Sequence, residues 1–383
     1  MEIKRLTKEN YDALINLLNV TFGTKNKRVV SFEAELPRMC QRTDEAMGKH
    51  FGVFEEGRLV AALGIYPLLT KILGEDFLFS TVGNVATHPD FEGRGYMQKL
   101  MPIAMDELKR IGADVSRLGG ARQRYNRYGY EMAGVGYTFT VNDHNVKYEM
   151  PEDAGFTFRK IEREDLADWA YVNSLHSKGA IYCVRAEEND YFDVFASATA
   201  WRAVPYIVSK GDERIGYLSL GKDDVTVAEL YTEREDDFST VLCALQKFTG
   251  KAVTITLPEY EKAKIAKLAK FASGVTTGPI CHFKVINFAK LTNALMKLKA
   301  TYAKMPAGEF VLGIEDYGNV LLRSDGVSVG AELTEKCAAV TLDKLTATRF
   351  LFGHTPAAFI ADVPDFVSAW LPLPLFWNLQ DRV

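Results

Sequence analysis

The stretch best equipped for chemistry is Thr81–Met101, TVGNVATHPDFEGRGYMQKLM. It reads as an apolar strand, a short acidic turn with two glycines, and an amphipathic helix. In that helix Met97, Leu100, Met101, Ala104, Leu108 and Ile111 recur at helical spacing. A strand that enters a helix through a Gly-bearing loop aims several free backbone N–H groups at one point. The positive end of the helix dipole adds to the attraction for an anion there. Gly93 and Gly95 let the backbone approach a ligand closely, which a Cβ would prevent. The chain has no G-x-x-x-x-G-K-[ST] and no G-x-G-x-x-G followed by a ribose-binding acid, which argues against a nucleoside-triphosphate loop or a dinucleotide fold.

The stretch resembles the pyrophosphate loop of the GNAT acetyltransferases, [QR]-x-x-G-x-[GA], with Glu92, Gly95 and Met97 at the three marked positions. Only the central Gly matches. Glu92 stands where the family carries Arg or Gln, and Arg94 is placed to supply the missing positive charge. Downstream, Tyr125-Asn-Arg-Tyr-Gly-Tyr130 resembles the Y-x-R-[FY]-G-Y segment of one GNAT subfamily, the enhanced-intracellular-survival (Eis) aminoglycoside acetyltransferases. That group tolerates a bulky residue at the position of Met97.

The resemblance implies roles. Val85, Ala86 and Thr87 would hold the pantetheine arm and acetyl group of acetyl-CoA by backbone hydrogen bonds, with the Val85 N–H facing the developing oxyanion. Gly93, Arg94, Gly95, Tyr96, Met97 and Gln98 would wrap the pyrophosphate. Tyr125 would be the general acid, since a phenol near pKa 10 keeps its proton at neutral pH and can pass it to a thiolate. The terminal carboxylate of Val383 would be the general base, although its ordinary pKa of about 3.5 makes it a poor one without desolvation. His88 and His354 are alternative bases that nothing singles out. A hexameric homo-oligomer is implied as well.

The 383 residues allow two or three domains. Hydrophobic content of 47% and charged content of 25% are ordinary for a globular enzyme. A net charge of −4 argues against a nucleic-acid partner. No apolar run reaches a membrane span and MEIKRLTKEN lacks a signal core, so a cytoplasmic protein is expected. The five scattered cysteines read as reduced, mostly buried thiols, with neither a disulfide framework nor a metal site.

The element order predicts an α+β fold of two tandem GNAT-like mixed-sheet domains followed by a sterol-carrier-protein-like α/β domain. Residues 1–147 form the catalytic unit: strands at 2–6, 50–54, 58–66, 77–87 and 113–118, helices at 8–22 and 32–39, and a closing strand at 134–141. Residues 148–284 repeat that layout faintly. Tyr206–Leu220 parallels Phe51–Ile65, but the counterpart of the phosphate loop, Thr232–Asp237, is net negative and lacks Gly, so this copy is expected not to bind cofactor. Residues 285–383 end in Leu371–Trp377, apolar enough to dock, which would leave Asn378–Val383 to reach inward.

These readings favour an N-acetyltransferase acting on small polycationic amines, aminoglycosides among them, by direct transfer in a ternary complex. Acetylation of protein lysines or amino termini is one alternative. A non-catalytic protein holding an apolar ligand is the other.

Overall fold

A computed structural model describes residues 1–150, 155–185, 192–195 and 203–382. The chain starts with β1 (Glu2–Arg5), a helix at Tyr11–Asn26 and the antiparallel strands β2 (His50–Glu55), β3 (Arg58–Ile72) and β4 (Glu75–Thr87). A helix at Tyr96–Arg110 then crosses over to β5 (Val115–Leu118), parallel to β4, and β6 (Glu131–Ala133) follows. The helix predicted over 32–39 stops at Glu35, because Leu36 precedes Pro37 and is pushed out of the helical region.

The next strands are β7 (Gly136–Val141), β8 (Phe156–Lys160), β9 (Ile181–Cys183), β10 (Ala203–Lys210), β11 (Glu213–Gly221) and β12 (Thr226–Thr232). After a helix at Asp237–Thr249 come β13 (Val253–Pro258), β14 (Gly274–Gly278) and β15 (Cys281–Val285). Among the described residues the first sheet runs β1-β2-β3-β4-β5-β15-β6, with β9 on β3, and the second runs β14-β7-β13-β12-β11-β10-β8.

This order corrects one expectation. The strand at 134–141, predicted to close the first sheet, lies in the second between β13 and β14, while β15 lies between β5 and β6 of the first. The two units interlock by trading strands. Strand patterning specifies a buried face but not a partner, so the exchange has no local signature.

The final part carries a helix at Phe288–Ala300 and a four-stranded sheet of β16 (Gly308–Ile314), β17 (Gly318–Ser324), β18 (Val329–Thr334) and β19 (Val340–Leu342). Its core is continuous with the far face of the first sheet, where Phe77, Phe79, Val115 and Phe283 pack with Leu295, Phe350 and Trp370. The Leu371–Trp377 run docks as expected: Leu373 and Leu375 are fully buried, and Trp377 lies 5.1 Å from Phe79 between ring centroids. Elsewhere on the first sheet, Leu14, Leu17 and Leu18 of one helix and Leu100, Met101, Ala104 and Leu108 of the other fill separate cores.

Candidate active site

The site begins with a break in β4. Gly83 pairs with Gly64 and Ala86 with Ala62, so Asn84 and Val85 together oppose Leu63 alone. This is a β-bulge, with Asn84 at φ +52, a left-handed conformation that Asn tolerates better than most residues. A hydrogen-bonded chain pins it: Asn84 Nδ2 donates to Tyr66 Oη at 2.7 Å, and Tyr66 Oη lies 2.7 Å from His50 Nε2. His50 Nδ1 faces the Ala46 and Met47 carbonyls at 3.2 and 3.3 Å, so it carries the ring proton and Nε2 accepts from Tyr66. Burial lowers the His50 pKa to about 4, keeping the ring neutral.

On the other side of β4 the pairing with β5 ends at Val82–Leu118. Beyond it the two strands part, and β5 continues into Gly119, Gly120 and Ala121. A cavity of about 440 Å³ occupies the gap, lined by Val82–Val85, Gly119–Ala121 and Tyr125 and roofed by Phe22–Leu36. A second cavity of about 420 Å³ is lined by Thr87, Gly93–Gln98 and Arg124–Tyr128 apart from Asn126. Gly95, at φ +76, caps the helix Tyr96–Arg110, and Gly93 is at φ +77. Left-handed glycines next to a helix N-terminus, with Arg94, Arg124 and Arg127 close by, suit a phosphate-bearing ligand. Glu92 is exposed and lines the second cavity beside Gly93, while Arg94 lies 3.4 Å from Glu55 and 4.6 Å from the Phe91 ring.

Arg124 and Tyr125 line both cavities. Burial raises the Tyr125 pKa, with the neighbouring Arg124 guanidinium pulling the other way, so the phenol stays protonated at neutral pH. Tyr130 is different: it is fully buried and bonded to Ser116 at 2.8 Å, a packing residue. Of the residues singled out in the sequence, Val85 lines the first cavity, and Thr87 and Gly93–Gln98 line the second. Ala86 is buried between them and can contribute only backbone. Val383 lies outside the described residues. His88 accepts from Arg58 at 2.7 Å, and His354 is exposed on the third unit, away from both cavities.

The tail before Val383 is held more firmly than expected. Asn378–Asp381 do not extend freely: Gln380 and Asp381 are each 1% exposed. Arg185 donates to Asp381 at 2.9 Å and, through two nitrogens, to Glu229 at 2.9 Å, while Asn378 Nδ2 donates to Glu229 at 3.1 Å. The tail thus sits against β12 in the second sheet, beside the place where β12 and β13 pair only at Thr226–Thr254 and Val227–Ile255. From there Arg382 turns toward Cys281 and Arg117. Burial, helped by the nearby Arg117, lowers its pKa to about 10. Arg117 itself is hydrogen-bonded to Cys281 and lines the first cavity.

Sequence reasoning missed Arg124, Arg127, Gly120 and Asn84. The basic run Arg122-Gln-Arg-Tyr-Asn-Arg127 was a usable signal for the first two. The bulge at Asn84 had none, because it depends on register with β3.

No curated protein matches the chain in sequence. Several solved structures match its fold over nearly the whole length. A GCN5-related N-acetyltransferase from Anabaena variabilis is 14% identical with a TM-score of 0.68, covering 98% of each chain. One from Kribbella flavida is 15% identical with a TM-score of 0.65, covering 97% of this chain and 96% of its own. Eis1 from Mycobacterium abscessus is 14% identical with a TM-score of 0.66, covering 99% of this chain and 98% of its own. These likenesses concern the fold. In sequence, the model of the acetyltransferase (GNAT) domain matches residues 2–133, the segment that builds both cavities around Tyr125. Residues 2–133 therefore form a GNAT acetyltransferase domain, and the chain is an enzyme of the kind that transfers an acyl group from an acyl-CoA to an amine.

Proposed function

We propose that the protein is an N-acetyltransferase that passes the acetyl group of acetyl-CoA directly to the amino group of a small acceptor. The observation that carries this reading is that Tyr125 lines two cavities at once. The cavity at Gly93–Gln98 would take the donor, its backbone N–H groups and Arg94 holding the pyrophosphate. The parted strands would take the acceptor, with the Val85 N–H at the bulge facing the thioester oxygen as charge develops on it. Tyr125 would give its proton to the departing thiolate.

The terminal carboxylate of Val383 would accept the proton of the attacking amine. Its support is the course of the tail, which brings Arg382 beside Arg117 of the acceptor cavity. We read 1–147 as the catalytic unit apart from β7, which joins the second sheet, 148–284 as a copy without cofactor that lends β15 to the first sheet and whose strand gap is covered by the tail, and 285–383 as a sterol-carrier-like unit. Assembly into a homo-oligomer, a hexamer by family resemblance, belongs to the same reading. Among the described residues no helix is long and apolar enough to cross a membrane. A polycationic acceptor such as an aminoglycoside is the class the resemblance implies, but the charge of the acceptor cavity runs against it.

The test is thiol release from acetyl-CoA in the presence of amines, with mass spectrometry of the product. Acetylated amine formed in step with free thiol supports the reading. Thiol release without an acetylated amine, or no release with any amine, contradicts it.

A further inference from the structure

We infer that the acceptor is a primary amine that also carries an anionic group, a carboxylate or a phosphate, on a short apolar body. The inference rests on the acetyltransferase reading above and names the class of its second substrate.

The cavity between the parted strands is cationic. Lys25, Arg28, Arg117 and Arg124 line it, and among the described lining residues Glu35 is the single carboxylate. Glu35 is already engaged, because Arg28 reaches both of its oxygens, one of them at 2.9 Å. Counting the terminal carboxylate of Val383 as a second anion at this place still leaves a cationic surplus. The remaining wall is apolar, with Phe22 from the first helix and Phe32 and Leu36 from the segment after it. Low-dielectric walls around charges of one sign focus the field and raise the local concentration of the opposite sign.

The charge pattern therefore selects against a substrate with several ammonium groups. It favours one whose anion meets Lys25 and the other cations of the wall while its amine points toward Val85 and Tyr125. The same surroundings help the chemistry. Acyl transfer needs the neutral amine, and nearby positive charges disfavour an ammonium ion, lowering its pKa toward neutrality. A zwitterion satisfies both demands at once, since its anionic end supplies the attraction while its amine loses a proton.

The experiment compares kcat/KM for 6-aminohexanoate, 2-aminoethyl phosphate, hexylamine and spermidine at fixed acetyl-CoA, read by thiol release. The inference predicts that at least one of the two anionic amines exceeds both hexylamine and spermidine by tenfold or more. The faster of the two identifies the anion as carboxylate or phosphate. Raising the ionic strength should raise KM for that amine, because screening weakens the attraction. Lys25→Glu, a charge reversal at an exposed position, should cut the preference for the anionic amine over hexylamine at least fivefold, with an unchanged melting temperature. Spermidine or hexylamine turned over as well as the anionic amines would overturn the inference alone, as would an unchanged preference in Lys25→Glu. Absence of turnover with every amine would overturn the acetyltransferase reading and the inference with it.

Discussion

The ring of Tyr125 lies so close to Gly120 that a Cβ at residue 120 would come within 2.6 Å of its Cε2 atom. Gly120 also sits at φ +142, a conformation side chains rarely adopt. The glycine thus sets the height of the phenol above the gap between β4 and β5. Gly120→Ala should displace the ring and lower kcat about tenfold or more, as misplaced catalytic groups do. KM for acetyl-CoA should change little. An alanine variant with wild-type kcat would show that the ring position is not critical.

The donor cavity depends on Gly95, whose left-handed conformation starts the helix Tyr96–Arg110. Gly95→Asp adds both strain and a negative charge where phosphates are expected. Calorimetric titration with CoA should give one site per chain in the wild type and none in the variant. Two sites per chain would mean that the second unit binds cofactor after all.

His50 supplies a pH dependence. Its proton affinity is depressed in the folded state, with a pKa of about 4, whereas the unfolded chain takes up the proton near 6.5. The stability held by the neutral ring is therefore complete above pH 6.5 and drains away as pH falls toward 4, by about 3 kcal/mol in all. Urea unfolding at pH 7 and pH 4 should show a smaller loss in His50→Gln than in the wild type. Equal losses would mean that His50 is not the group that titrates.

Arg185 joins Glu229 to Asp381 in a buried cluster that fixes the tail in the second sheet. Burial alone would raise the Asp381 pKa, but the Arg185 guanidinium more than offsets it and holds it below the usual carboxylate value. Arg185→Met leaves two buried carboxylates without their counter-ion and should cost about 3–5 kcal/mol of stability by urea unfolding. Cutting the chain before Asp381 should destabilise for the same reason, so the general-base role is better tested by removing Val383 alone. Unchanged stability in Arg185→Met would contradict the clamp.

Much of the donor site was legible in the sequence because its determinants are local. Gly93 and Gly95 before an amphipathic helix, and Tyr125 in its short motif, carry their meaning within a few residues. The acceptor side was not legible. It is assembled from Lys25, Arg28, Asn84, Arg117 and Gly120, which come from three separate segments and meet only through folding. The exchange of β7 and β15 between sheets escaped for a related reason, since β patterning is the same whichever sheet receives the strand. The tail was read as free beyond Trp377 because Asp381 and Arg382 are charged. The burial of Asp381 depends on Arg185, nearly two hundred residues away.

The central claim is that Tyr125, shared by the two cavities, protonates the leaving thiolate. Steady-state thiol release by Tyr125→Phe measures it most directly, once an acceptor amine is identified. The variant keeps the ring and the packing but loses the proton. Its kcat should fall about 100-fold while acetyl-CoA affinity stays near the wild-type value. An undiminished kcat would leave Tyr125 a packing residue and contradict the mechanism.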